Sequence, residues 1–143
     1  MKKSFIPVIV FFNASVIIAG LRSPKGGSAK LLDFASQKKI TAIVSNIIVN
    51  EALKHQVKTR LNESQIVDFM EKRFHVVSEP SPELIDRYNS IVFDKGDIHV
   101  IASAMETTAH FLVTLDKKHL LAIKNKIKDF QIVTPGELIA ILD

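Results

Sequence analysis

Cysteine is absent from this chain, which excludes a disulfide framework and any zinc site built on thiolates. A reducing compartment suits such a sequence, and a cytoplasmic location is the expectation. No strand-like run is followed by G-x-G-x-x-G, so the glycine fingerprint of dinucleotide binding is missing as well. Internal repeats, low-complexity tracts and linkers are also lacking. With no boundary to divide them, the 143 residues are expected to form one domain over 1–143. Charge of one sign is scarce in excess: 19 Lys and Arg stand against 15 Asp and Glu, a net charge of +4. The pI near 9.4 gives only slight support to a polyanionic partner. Long hydrophobic runs are limited to the N-terminus, where Lys2–Lys3 and SFIPVIVFFNASVIIAGL have the outline of a signal peptide or a short anchor. Pro7, Asn13 and Ser15 interrupt that run, leaving it short of the roughly 20 apolar residues a span needs. It is expected to be a core element, with no membrane association.

What remains is an ordinary globular composition, 47% hydrophobic and 24% charged. Phe5–Phe12 is a near-continuous β-branched and aromatic run, as expected of a buried parallel strand. A short helix follows over Val16–Leu21, then a Pro/Gly loop, then a helix capped by Ser28 that runs to about Lys38. Ile40–Val44 reads as a second buried strand, and Ser45 caps a helix containing Glu51. Asn62 with Gln65 resembles a capping box for a helix up to Phe74. After a short strand at His75–Val77, Ser81-Pro82-Glu83 opens a helix ending near Val92. Val100, Ile101, Ala104 and Met105 recur at helical spacing from Asp97 onward, and His110–Thr114 is a short strand. A helix after Lys117, a strand near Gln131–Val133 and a last helix capped by Thr134 complete the chain. Strands alternate with helices, which predicts an α/β fold with a parallel sheet of about five strands between two helical layers.

Ligands of open parallel sheets bind beyond the carboxyl ends of the strands, where the strand order reverses. Asn13 ends the first strand and Asp116 ends a later one. A helix from Asp97 travels about 1.5 Å per residue one way, and the following strand returns at about 3.3 Å per residue. Asp97 and Asp116 are therefore expected at the same edge. Glu51 lies about two turns into its helix and can lean over that edge; Asp94 is a further carboxylate in the loop before Asp97. Singly, Asp97 and Asp116 read as helix caps, Glu51 as a solvated helix residue and Asn13 as a turn or cap residue. Jointly they describe a cleft of like charges, which oppose their own ionisation unless a cation sits among them. Mg²⁺ or Mn²⁺ with oxygen ligands resolves this, and such ions polarise phosphoryl oxygens and activate water. His99 and His119 flank the site, but a histidine there is more often packed or surface-exposed than a ligand, and neither is included. Lys25, Lys95, Lys117 and Lys118 lie in segments near the mouth, where they solvate the surface or guide phosphates.

These residues carry a family resemblance. Asn13-Ala-Ser-Val-Ile-Ile-Ala-Gly-Leu21 resembles the opening motif of PIN-domain nucleases, in which an Asp ends the first strand. Ser45 through Glu51-Ala-Leu53, Asp97-Ile-His-Val-Ile-Ala-Ser-Ala104, Leu112-Val-Thr-Leu-Asp116 and Ile132-Val-Thr-Pro-Gly-Glu-Leu138 are similar to its later motifs, in order. The resemblance implies a PIN fold with a sheet of order 3-2-1-4-5. It also implies Mg²⁺- or Mn²⁺-dependent cleavage of RNA, with metal ligands at positions 13, 51, 97 and 116. Many members of this size are dimeric toxins paired with a small antitoxin protein. The departure is Asn13, an uncharged carboxamide where the first carboxylate belongs. A natural member of weakened activity, an inactivating change, or a degenerate domain that binds RNA or protein without cutting all fit it.

Overall fold

A computed structural model describes residues 7–92 and 94–143. The expected first strand begins at Phe5; within the described residues it is β1, Val8–Phe12, and residues 5 and 6 lie outside them. The elements that follow are α1 (Ala14–Arg22), α2 (Gly27–Ser36), β2 (Ile40–Ser45), α3 (Asn46–Lys54), α4 (Gln56–Thr59), α5 (Glu63–Arg73) and β3 (His75–Val77). Then come α6 (Pro82–Tyr88), α7 (Lys95–Glu106), β4 (Phe111–Val113), a 3₁₀ turn at Leu121–Ile123, β5 (Gln131–Val133) and α8 (Pro135–Leu142).

The five strands form one sheet in the order β3-β2-β1-β4-β5, and each neighbouring pair is parallel. Central β1 carries the most apolar run, and Val10, Phe11 and Phe12 are wholly buried. The stretch with the outline of a targeting segment thus supplies the middle strand of the sheet and, in α1, the buried Val16 and Ile17. Among the described residues, no helix is long and apolar enough to cross a membrane.

From β1 the chain moves outward to β2 and β3, then returns through α6 and α7 to β4 on the other side of β1. Parallel crossovers are right-handed, so this reversal of direction puts the α6–α7 connection on the face opposite α1 and α2. The carboxyl ends of β1 and β4 stay joined at that switch point, where Asn13 N donates to Val113 O at 3.0 Å, and the crevice lies beyond them, between the chain segments that leave in opposite directions.

Both capping boxes form: Asn62 with Gln65 starts α5, and Thr134 with Glu137 starts α8. Several boundaries differ from the sequence reading. Helix α2 begins at Gly27 with Gly26 as its cap, Ser28 being buried inside it, and it stops at Ser36 because Lys38 adopts φ 59°. Helix α6 ends at Tyr88 rather than Val92. Helix α7 starts two residues before Asp97, capped by Asp94. No α-helix forms between Lys117 and β5; turns and one 3₁₀ turn replace the expected one. There the apolar spacing buries Leu120, Ile123 and Ile127, while Lys124 and Lys128 would stand as like charges one helical turn apart.

Candidate functional site

Asn13 begins the crevice as the N-cap of α1. Its Oδ1 accepts from Ser15 N (3.4 Å), Ser15 Oγ (2.7 Å) and the wholly buried Thr114 Oγ1 (3.1 Å). The same hydroxyls pass the connection onward: Leu115 N donates to Ser15 Oγ and Asp116 N donates to Thr114 Oγ1, each at 3.1 Å. This chain of hydrogen bonds ties the end of β1 to the end of β4 and fixes where Asp116 stands. A carbonyl oxygen has two lone pairs, and three donors already occupy that of Asn13.

Asp116 is held from both sides. Its Oδ1 accepts from Lys118 N (3.1 Å) and His119 N (3.0 Å), which leaves Oδ2 facing the His119 ring at 3.3 Å from Nδ1. His119 Nδ1 also lies 3.7 Å from Asp97 Oδ2, and its Nε2 lies 3.8 Å from Asp94 Oδ2. Asp94 caps α7 by accepting from Gly96 N with Oδ1 at 2.8 Å, so its other oxygen is turned to the site. Asp97 follows in the first turn of the same helix. The three carboxylates thus gather around one imidazole, as the helix-and-strand arithmetic required for Asp97 and Asp116.

Glu51 reaches the crevice from α3, where its Oε1 is 3.2 Å from His99 Nε2. His99 follows Asp97 by two residues on α7, so it joins Glu51 to the helix that carries the acidic group. Sequence reasoning left out His99, His119, Ser15 and Thr114. The available signals were the three-residue spacing of Asp116 and His119, and the two-residue spacing of Asn13 and Ser15 that places a hydroxyl beside a helix cap.

The electrostatics center on Asp97. Burial first, then the carboxylates of Asp116 and Asp94, push its carboxyl up to about 6 from 3.8, against the opposing pull of His119 and His99. Asp97 Oδ2 is buried and has no hydrogen-bond partner. Such an atom is expensive unless something positive meets it. One ligand atom each from Asp94, Asp97 and His119 lie within 4.8 Å of one another. Neighbouring ligands in octahedral coordination at about 2.1 Å from the ion lie about 3.0 Å apart, and opposite ones about 4.2 Å. A divalent cation therefore fits this donor set with a small closing of side chains.

Lys95, Lys117 and Lys118 are exposed next to the acidic residues in sequence; Lys25 is exposed in the turn between α1 and α2. A hollow of about 230 Å³ adjoins the acidic group, lined by Asp94, Lys118, His119, Ala122 and Ile123 among others. A wider cavity of about 580 Å³ opens at the amino ends of β1, β4 and β5, where Val8, His110, Phe111 and Gln131 line it. It lacks converging carboxylates, and the chemistry of the crevice decides in favour of the carboxyl ends.

The sequence profile of the PIN domain matches residues 9–118. No curated protein is similar enough to count as a match. Among solved structures, VapBC2 from Rickettsia felis, bound to a DNA fragment from its promoter, is similar at 15% identity and TM-score 0.61, over 89% of this chain and 98% of that one. PAE2754 from Pyrobaculum aerophilum is similar at 18% identity and TM-score 0.64, over 94% and 95%. VapC20 of Mycobacterium tuberculosis, described as a toxin cleaving the sarcin–ricin loop, is similar at 13% identity and TM-score 0.52, over 76% and 91%.

Proposed function

The chain belongs to the PIN domain family, and on that footing we propose that it is a metal-dependent endoribonuclease, the toxin of a toxin–antitoxin pair. The observation that carries this reading is Asp97 Oδ2, buried and without a hydrogen-bond partner beside Asp94, Asp116 and His119 at the switch point of the sheet. A bound Mg²⁺ or Mn²⁺ supplies Lewis-acid polarisation of a phosphoryl oxygen and a water acidic enough to attack phosphorus. Asp94 and Asp97 would hold that ion by their free oxygens, with Asp116 beside them. Glu51, oriented by His99, borders the site from α3 and would accept a proton from the attacking water. Asn13 fixes the geometry through Ser15 and Thr114, and as a neutral amide it neither adds charge for the ion nor acts as a base. The activity is therefore weaker than an aspartate at position 13 would give. Lys95, Lys117 and Lys118 draw RNA phosphates to an otherwise acidic mouth.

The test incubates RNA with the native chain and with Asn13→Asp, in Mn²⁺, with and without chelator. Chelator-sensitive cleavage that is faster in Asn13→Asp is the expected result. Its absence in both proteins overturns the enzyme reading.

A second reading takes the engaged Asn13 amide as the mark of a PIN domain that binds RNA or a partner protein without cutting. Salt-sensitive RNA binding with no cleavage, even after Asn13→Asp, selects it. The partner proposed for either reading is a small antitoxin protein, with the chain itself a homodimer. Sedimentation of the purified chain and co-purification with the product of the neighbouring reading frame examine both.

A further inference from the structure

His119 is the one nitrogen donor facing all three acidic side chains of the crevice among the described contacts. An all-oxygen site for magnesium has no use for it. Mg²⁺ keeps its waters and prefers carboxylate oxygens, whereas imidazole favours iron, cobalt, nickel and zinc. The ring is nearly half exposed, but its position is tied to the acidic residues. His119 N donates to Asp116 Oδ1, which fixes the start of the side chain; its Nδ1 lies 3.7 Å from Asp97 Oδ2 and its Nε2 lies 3.8 Å from Asp94 Oδ2. Those separations fall between the roughly 3.0 Å and 4.2 Å that ligands sharing one ion at about 2.1 Å adopt. Asp97 Oδ2, its neighbour, is the buried atom without a hydrogen-bond partner.

We infer that His119 is a nitrogen ligand of the ion held by Asp94 and Asp97, and that this mixed donor set selects a first-row transition metal over Mg²⁺. The inference rests on the metal-dependent reading above and adds the identity of the ion to it. Asn13, saturated by its three donors, strengthens the selection, because the site has lost one of the hard, charged oxygens that favour Mg²⁺.

The experiment titrates the metal-freed full chain with Mg²⁺, Mn²⁺ and Co²⁺ by calorimetry, beside His119→Asp, which keeps a ligand but makes it oxygen. Pulsed electron paramagnetic resonance of the Mn²⁺-loaded proteins reads nitrogen at the ion directly. In the native chain Co²⁺ binds about a hundredfold more tightly than Mg²⁺, and bound Mn²⁺ shows nitrogen coupling. In His119→Asp the Co²⁺-to-Mg²⁺ ratio falls about tenfold or more and the coupling disappears. An unchanged ratio, or Mn²⁺ bound with no nitrogen coupling in the native chain, leaves His119 as a counter-charge only and overturns the inference. Coupling that survives in His119→Asp places the nitrogen elsewhere, with His99 the neighbour to examine, and overturns it too. These outcomes leave chelator-sensitive RNA cleavage untouched. Conversely, nitrogen coupling in a protein that cuts no RNA upholds the ligand and removes the nuclease.

Discussion

Burial, followed by the carboxylates of Asp116 and Asp94, raises the Asp97 carboxyl to about 6, and the sign of its effect on folding follows. An acid whose pKa is higher in the folded chain binds its proton more tightly there. Below the unfolded value of 3.8 Asp97 costs nothing; between 3.8 and 6 the unfolded chain ionises while the folded one keeps its proton, so stability falls with pH across that window and the loss is complete above 6. The loss is at most about 3 kcal/mol, at 1.36 kcal/mol per pKa unit. In metal-free protein, Asp97→Asn should melt higher than the native chain at pH 8, and the difference should vanish near pH 4. Thermal melts across that range check it, and a divalent ion should abolish the advantage. Asn13→Asp should show the opposite sensitivity. Its added charge makes the metal-free protein less stable and the bound ion tighter, so the rise in Tm on adding Mn²⁺ should exceed that of the native chain. Equal rises in both would detach position 13 from the ion. The sequence revealed Asp97 and Asp116 as neighbours because regular helix and strand have fixed lengths per residue. It did not reveal His119, since the ring's direction depends on an irregular turn that only packing decides.

Helices α1 and α2 meet closely at Gly20. A methyl group on Gly20 would collide with Leu32 Cδ1 and approach the Ala29 amide nitrogen to 3.2 Å. Alanine normally favours a helix over glycine by up to about 1 kcal/mol. Here Leu32, 3% exposed, has little room to turn away, and the α2 backbone at Ser28 and Ala29 stands at 3.2 Å, so Gly20→Ala should destabilise by about 1–2 kcal/mol in urea unfolding. At the far end of α7, Thr108 holds φ 55°, a left-handed conformation unfavourable for a β-branched residue. Thr108→Asn should stabilise by about 0.5–1 kcal/mol, read from the same curves. The Asn62–Gln65 capping box and the Thr134 cap were visible in the sequence, because each is a local pattern. The helix expected after Lys117 was not a local matter. Its apolar spacing is genuine, since Leu120, Ile123 and Ile127 are buried, but the same three contacts are reached by turns.

For the molecule as a whole, alternation of elements was enough to predict a parallel sheet, whereas the order 3-2-1-4-5 came from the family resemblance alone. Alternation does not say on which side of β1 the fourth strand docks. The reversal that decides this also places the acidic group, so site and topology stand together. The net charge of +4 bears on RNA at this scale. Binding of single-stranded RNA in the presence of Ca²⁺ should weaken with salt at a log–log slope of about −2 to −3, near 0.7 for each phosphate contacted. A flat salt dependence would remove the electrostatic role of Lys95, Lys117 and Lys118.

The two margins of the sheet, β3 and β5, are each three residues long. So short a rim offers a neighbouring copy only a few unpaired backbone groups, too few to extend the sheet from one molecule into the next. In the homodimer proposed above, the contact would therefore fall to side chains on the helices. That keeps the recognition surface open to change by substitution while the strands stay as they are.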